Sequence, residues 1–264
     1  MLKSRFTSAA LLFLGSCFGV LAFTWPLYLP DTSIFLFEPA SARVLAVLIA
    51  VLGIAIVGVE ISRGAMDSKS VALLGVLSAL IAALRLVGAG AVGIEPMWFL
   101  LILAGFVYGL FFGFSLGVIS MGVSALLTGG IGPWLPFQMI AAGWIGLLAG
   151  LASSRISRRI EIPYLVLLGV FSSLSFGLLM DLQLWPWLTG TDTQLSFVVG
   201  AGIIENLQRF LVFHLMTALA WDIPRAITTA ILITVTARPV LNSLIRARTR
   251  MNFTLHATGQ KVRA

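Results

Sequence analysis

The chain has 264 residues, of which 59 % are apolar and only 10 % charged, where a soluble domain carries about 25 % charged residues. So few polar groups cannot cover a soluble exterior, and much of the chain must face lipid. The formal net charge is +7, but the cations sit at the edges of apolar runs and include few lysines (Lys3, Lys69, Lys261), which argues against a nucleic-acid partner. Cys17 is the only cysteine, which excludes an internal disulfide, and with His214 and His256 as the sole histidines a structural zinc site is disfavoured.

Apolar runs at 7–29, 42–61, 71–88, 97–130, 134–152, 163–181, 197–221 and 226–245 predict membrane helices, because a hydrocarbon core of about 30 Å takes roughly 20 helical residues. The first run follows Lys3 and Arg5 as a signal peptide would. Its length, and the lack of a small-x-small cleavage site before Trp25-Pro26, predict a retained helix. As one helix, 97–130 would be about 50 Å long, so two helices folded back near Gly113 are expected.

Cytoplasmic loops are enriched in Lys and Arg, and that rule orients the chain. With Lys3 and Arg5 inside, Arg63 and Lys69 return inside, and two spans in 97–130 place Arg155, Arg158 and Arg159 there as well. The run 197–221 carries Glu205, Asn206, Gln208, Arg209 and His214, an expensive load for lipid. Kept on the outer side without crossing, it leaves Arg246, Arg248, Arg250, Lys261 and Arg263 inside. Asp31, Glu38, Glu95, Asp181, Asp192, Glu205 and Asp222 then lie outside. The sequence thus predicts an all-α membrane protein of about eight spans with both termini cytoplasmic. An N-terminal transmembrane hairpin (1–62) precedes a six-helix substrate-binding membrane domain (63–250) and a basic cytoplasmic tail (251–264).

Five features are candidates for function. Gly75, Ala79 and Ala83, spaced by four, share one helical face where small side chains admit a close neighbour; the neighbour is either another helix of the same bundle or a partner. Glycines 105, 109, 113 and 117 suit internal packing and a tight reversal. The outer-side run from Thr128 to Met139 holds three glycines and two prolines and cannot continue a helix. Trp134 and Gln138 there either face a cavity or, for Trp134, join the interfacial aromatic belt. The run from Gly88 to Trp98 carries Glu95, which binds ligand, pairs with Arg85 or is hydrated. Last, 181–225 is the most polar and aromatic stretch. Glu205 and Arg209 are i,i+4 neighbours able to neutralise each other, and Asp222 and Arg225 could anchor the last span. Trp185, Trp187 and Trp221 serve either the belt or the lid of a site.

Absences are equally informative. The sequence has no Gly-x-x-x-x-Gly-Lys-Ser/Thr phosphate loop, no Gly-x-Ser-x-Gly elbow and no His-Glu-x-x-His. No acid sits mid-span, as a proton relay would need. A secondary transporter acting alone is thereby disfavoured, as is an enzyme, for which His214 with Glu205 or Asp222 is the only cluster that can be assembled.

Ala79-x-x-x-Ala83, Gly93-Ile-Glu-Pro-Met-Trp98, Gly129-Gly-Ile-Gly-Pro-Trp-Leu-Pro-Phe-Gln-Met139 and Trp221-Asp-Ile-Pro-Arg225 before the last span resemble the substrate-capture (S) components of energy-coupling-factor (ECF) vitamin transporters, over roughly 70–250. The Pro-Trp-x-Pro-Phe-Gln-Met run resembles an actinobacterial, cobalamin-like subgroup. The resemblance implies a six-helix bundle in the bacterial cell membrane that binds a vitamin-like molecule, cobalamin among them, at its outer face. It implies docking on a transmembrane coupling subunit driven by two cytoplasmic ATPases, with no cofactor and no catalysis in this chain. It assigns Gly75, Ala79 and Ala83 to partner docking. Glu95, Trp134, Gln138, Trp185, Asn206, Arg209 and Trp221 are its candidate substrate residues, with the N-terminal hairpin an addition to the plan.

Overall fold

The computed structural model describes residues 2–28, 39–62, 66–88, 92–152, 156–188 and 193–250, with side chains from 8 and from 43 onward in the first two segments. Lys3, Arg5, Asp31, Glu38, Arg63, Arg155, Asp192 and the tail 251–264 with His256, Lys261 and Arg263 lie outside the described side chains. The described residues form helices and no strands: α1 (Leu2–Tyr28), α2 (Pro39–Ser62), α3 (Ser68–Val87), α4 (Met97–Tyr108), α5 (Leu110–Thr128), α6 (Leu135–Ala152), α7 (Glu161–Leu188), α8 (Ile203–Thr217) and α9 (Leu219–Arg250). Seven of them are long and apolar enough to cross a membrane; α4 and α8 are not among these.

The 97–130 run does fold back on itself, but at Gly109 rather than Gly113. Gly109 has φ 94°, a conformation open to glycine and costly for other residues, whereas Gly113 is occupied in helix packing. The reversal also divides the run unequally. With 12 residues, α4 is about 18 Å long, too short to count as the eighth full span. It is the central pillar, walled in by α3, α5, α6, α7 and α9 and buried at almost every position. That all-round burial explains why its sequence is apolar without periodicity.

Around this pillar the helices close on small residues. A β-carbon added to Gly113 would strike the Gly146 carbonyl, and one on Gly117 the Ala142 carbonyl. Here α5 and α6 touch backbone to backbone, as small residues allow in membranes. On the other side, Gly169 of α7 sits against Thr229 and Ile233 of α9. The N-terminal pair packs onto the same body. Phe23 meets Phe137 at 5.1 Å, and Trp144 Nε1 donates to Ser16 Oγ at 3.1 Å. Outside the spans, Asp67 caps α3: Ser70 donates to its carboxylate from the side chain and from the backbone, which holds the carboxyl below its ordinary range.

Two sequence expectations about helix limits change. The loop expected over 128–139 shrinks to 129–134, because Leu135-Pro-Phe-Gln138 already forms the first turn of α6, where proline's missing N–H costs nothing. The motif Trp221-Asp-Ile-Pro-Arg225 is not ahead of the last span but inside its first turns, since α9 begins at Leu219. Pro224 removes one helical bond there without ending the helix. Only Ala218 separates α9 from α8.

The bundle has two chemically distinct ends. At the basic end, Arg248 donates to Val107 O (2.9 Å) and Tyr108 Oη to Leu244 O (2.9 Å), with Arg158, Arg159, Arg238, Arg246 and Arg250 around them. The opposite, aromatic end gathers the close of α3, α5 and α7, the start of α4, α6 and α9, and α8.

Candidate functional site

The aromatic end is held together by a chain of charges whose members come from four parts of the sequence. Arg225, in the second turn of α9, donates through Nε and Nη2 to Glu95 Oε1 at 3.1 and 2.9 Å. Its Nη1 reaches Asp222 Oδ1 at 2.6 Å and Ser173 O at 3.3 Å. The guanidinium lies 5.3 Å from the Phe176 ring centroid, adding a cation–π contact. Glu95 accepts a further bond from Trp98 Nε1 at 2.7 Å. The other oxygen of Asp222 is buried with no hydrogen bond among the described residues and lies 4.0 Å from His214 Nε2, while His214 Nδ1 is 2.9 Å from Asp181. Gly177 leaves the room that the Asp222 carboxylate fills.

Glu95 pairs with Arg225 rather than with Arg85. The helix ends decide this, because Glu95 just before α4 and Arg225 near the start of α9 are brought to the same end of the bundle. Asp222 anchors the start of α9 as expected, through Arg225. Glu205 and Arg209 do neutralise each other, at 2.9 Å.

A second group lies beside the first. Arg85, at the last turn of α3, donates to Ser124 Oγ of α5 at 2.7 Å and to Gln138 Oε1 of α6 at 3.2 Å. Trp134, 43 % exposed, stands just before α6, its ring across Gly132. Trp221 is 49 % exposed, and its carbonyl packs on Gly93.

The remaining candidates are engaged in holding the segment 193–202 and α8. Trp185 is fully buried; its Nε1 donates to Leu195 O at 2.7 Å, and its ring meets Phe197 and Phe210 at 5.3 and 5.4 Å. Asn206, also fully buried, clamps Val198 from both sides, accepting from its N–H at 3.0 Å and donating to its carbonyl at 2.9 Å. Arg209 donates to Thr193 O at 3.2 Å. All three thus hold the segment 193–202 and α8 together.

Arg85, Ser124, Trp98, Ser173, Phe176 and Asp181 were not singled out as site residues from the sequence. For Arg85 a signal existed: it is an arginine inside an otherwise apolar span, itself a mark of function. Nothing local marked the serines or Phe176.

The small-residue face on α3 resolves in one direction. Gly75, Ala79 and Ala83 all lie on the outside of the bundle, with Val76 and Leu80 beside them, while Leu74, Leu77, Ser78, Ile81 and Ala82 face inward. A β-carbon on Gly75 would meet nothing within 4 Å. The face is thus not consumed by internal packing.

No curated protein and no solved structure matches the chain. The family model described as "ECF transporter, substrate-specific component" matches residues 69–237, from the start of α3 into α9 and across both polar groups of the aromatic end. Over more than half its length, therefore, the sequence carries this pattern: the chain belongs to the ECF transporter substrate-specific component family.

Proposed function

We propose that this chain captures a vitamin or related micronutrient at its aromatic end and docks on its partners through the Gly75–Ala79–Ala83 face of α3. Membership of the family makes it the substrate-binding membrane subunit of an ECF importer, a transporter component that works with coupling and ATPase subunits on a small molecule. The observation that carries the docking half is the open, outward stripe of small residues, close-fitting but without a polar lock. Such a face suits repeated association with a partner that distinguishes loaded from empty states by differential affinity.

The capture half is supported by what the aromatic end presents, a mouth in this reading: Trp134 and Trp221 are exposed there, and Glu95 and Gln138 accept from Arg225 and Arg85. Trp185, Asn206 and Arg209 enter this reading as the residues that fasten the covering segment rather than as direct contacts. The positive-inside rule puts the arginine-rich end, with the tail 251–264, in the cytoplasm, and the mouth outside. In this reading both termini are cytoplasmic and the N-terminal pair braces α6. Rings and amides suit a large polar ring system, a corrinoid of the cobalamin type among them.

The test is mass spectrometry of small molecules retained by the chain purified in detergent without nucleotide, alongside co-expression with coupling and ATPase subunits. One retained micronutrient and co-purifying ATPases are expected. Accumulation of solute in vesicles that contain this chain and no ATPase overturns the reading.

A further inference from the structure

We infer that Arg85 anchors an anionic oxo group of the ligand, a carboxylate or a phosphate ester. The inference rests on the capture reading above and names the chemistry the captured molecule must carry.

Arg225 and Arg85 stand at the aromatic end in opposite charge environments. Arg225 is buried between two carboxylates, Asp222 and Glu95, at 2.6 and 2.9 Å; its charge is met within the fold. Arg85 has no carboxylate within ion-pair distance among the described residues. Its hydrogen bonds go to two neutral groups, the Ser124 hydroxyl and the Gln138 amide oxygen. The two oxygens of Glu95 are already held by Arg225 and by Trp98.

A guanidinium carries five N–H donors, so these two bonds leave most of its donor capacity unused. A cation in a membrane helix without a counter-ion is costly. A fold that keeps one, half-buried and oriented, gains most when the counter-ion arrives from outside. The orientation is well defined: Ser124 is fully buried and donates to Met121 O at 2.8 Å while accepting from Arg85. Ser124 and Gln138 thereby hold the guanidinium plane between α3, α5 and α6. The planar fork matches a carboxylate or phosphate in two-point contact. Trp134 stands one helical turn before Gln138, at the same helix start, and offers a ring face to the remainder of the ligand.

The test titrates the purified full chain with three pairs of probes, each pair with and without the anion: nicotinate and nicotinamide, biotin and biotinamide, flavin mononucleotide and riboflavin. At least one anionic probe is expected to bind, about 100-fold tighter than its neutral counterpart, and Arg85→Gln is expected to lose about that factor. Affinity for the neutral counterpart hardly changes in Arg85→Gln, and Arg85→Lys recovers part of the anion's affinity. Thermal unfolding of both variants reports whether they fold; should Arg85→Gln not fold, the wild-type ratio of anionic to neutral probe still decides. Equal binding of both members of every bound pair, an unchanged affinity in folded Arg85→Gln, or no binding of any anionic probe overturns the assignment. Failure of the capture reading is separate: it shows as a purified wild-type chain that retains no small molecule by mass spectrometry and binds neither member of any pair.

Discussion

Gly113 and Gly146 meet so closely that a β-carbon built on either would overlap the other's carbonyl oxygen. No side chain can move aside at that contact, because both surfaces are backbone. It sets the separation of α5 and α6, and hence the distance between Ser124 and Gln138, the two residues that hold Arg85.

Substitution at that contact is expected to be severe. Gly146→Ala must push two helices apart, and overpacking of this kind costs about 1–3 kcal/mol. Gly75→Ala, on the open face of α3, is expected to be neutral or to stabilise by up to about 1 kcal/mol, since alanine is the better helix former. Thermal unfolding in one detergent compares the two. Equal melting temperatures would show that the α5–α6 contact is not close in solution.

Arg225→Met is expected to destabilise by about 3–5 kcal/mol, because it leaves the buried Asp222 and the half-buried Glu95 without their cation. Glu95→Gln should cost less, since the amide oxygen still accepts from Arg225, although its NH2 then faces the Trp98 N–H. The double variant should be more stable than the sum of the single losses implies. Strict additivity would mean that the pair does not act as a unit.

The clamp of Asn206 on Val198 predicts a local effect. Asn206→Ala leaves the part-buried Val198 N–H without its partner, at about 1–3 kcal/mol, and leaves the Val198 carbonyl with the Ala201 N–H alone. The 193–202 segment should then be cut by protease well before the rest of the chain. Unchanged digestion would show that Trp185 holds the segment without help.

For docking, Ala79→Trp and Ala83→Trp are expected to abolish co-purification with coupling and ATPase subunits. Both side chains point outward, so the melting temperature and ligand binding of the isolated chain should be preserved. Intact assembly and uptake in both variants would remove α3 from the docking surface.

Asp67 predicts a pH dependence. Its folded-state carboxyl is held below the ordinary range by the Ser70 side chain first and the Ser70 backbone second. A depressed folded value means the cap stabilises above the unfolded value and loses that contribution as pH falls through the folded one. The stability gap between wild type and Asp67→Ala should therefore be present at pH 7 and close in acid. A gap independent of pH would show that the charged form is not what caps α3.

The membrane character, the helical class, the existence of a reversal within 97–130 and the face shared by Gly75, Ala79 and Ala83 were all legible in the sequence. Each depends on local composition or on a short repeat, and lipid demands both over the length of one span. The partner of Glu95, the outward direction of the small-residue face and the isolation of Arg85 were decided only by tertiary structure. Glu95 and Arg225 lie 130 positions apart, and no local pattern states which helix ends will share one end of a bundle. The same holds for Trp185 and Asn206, whose rings and amides read alike whether they hold a ligand or a loop. Periodicity tells which residues share a helix face, but what that face meets depends on how all the helices pack together.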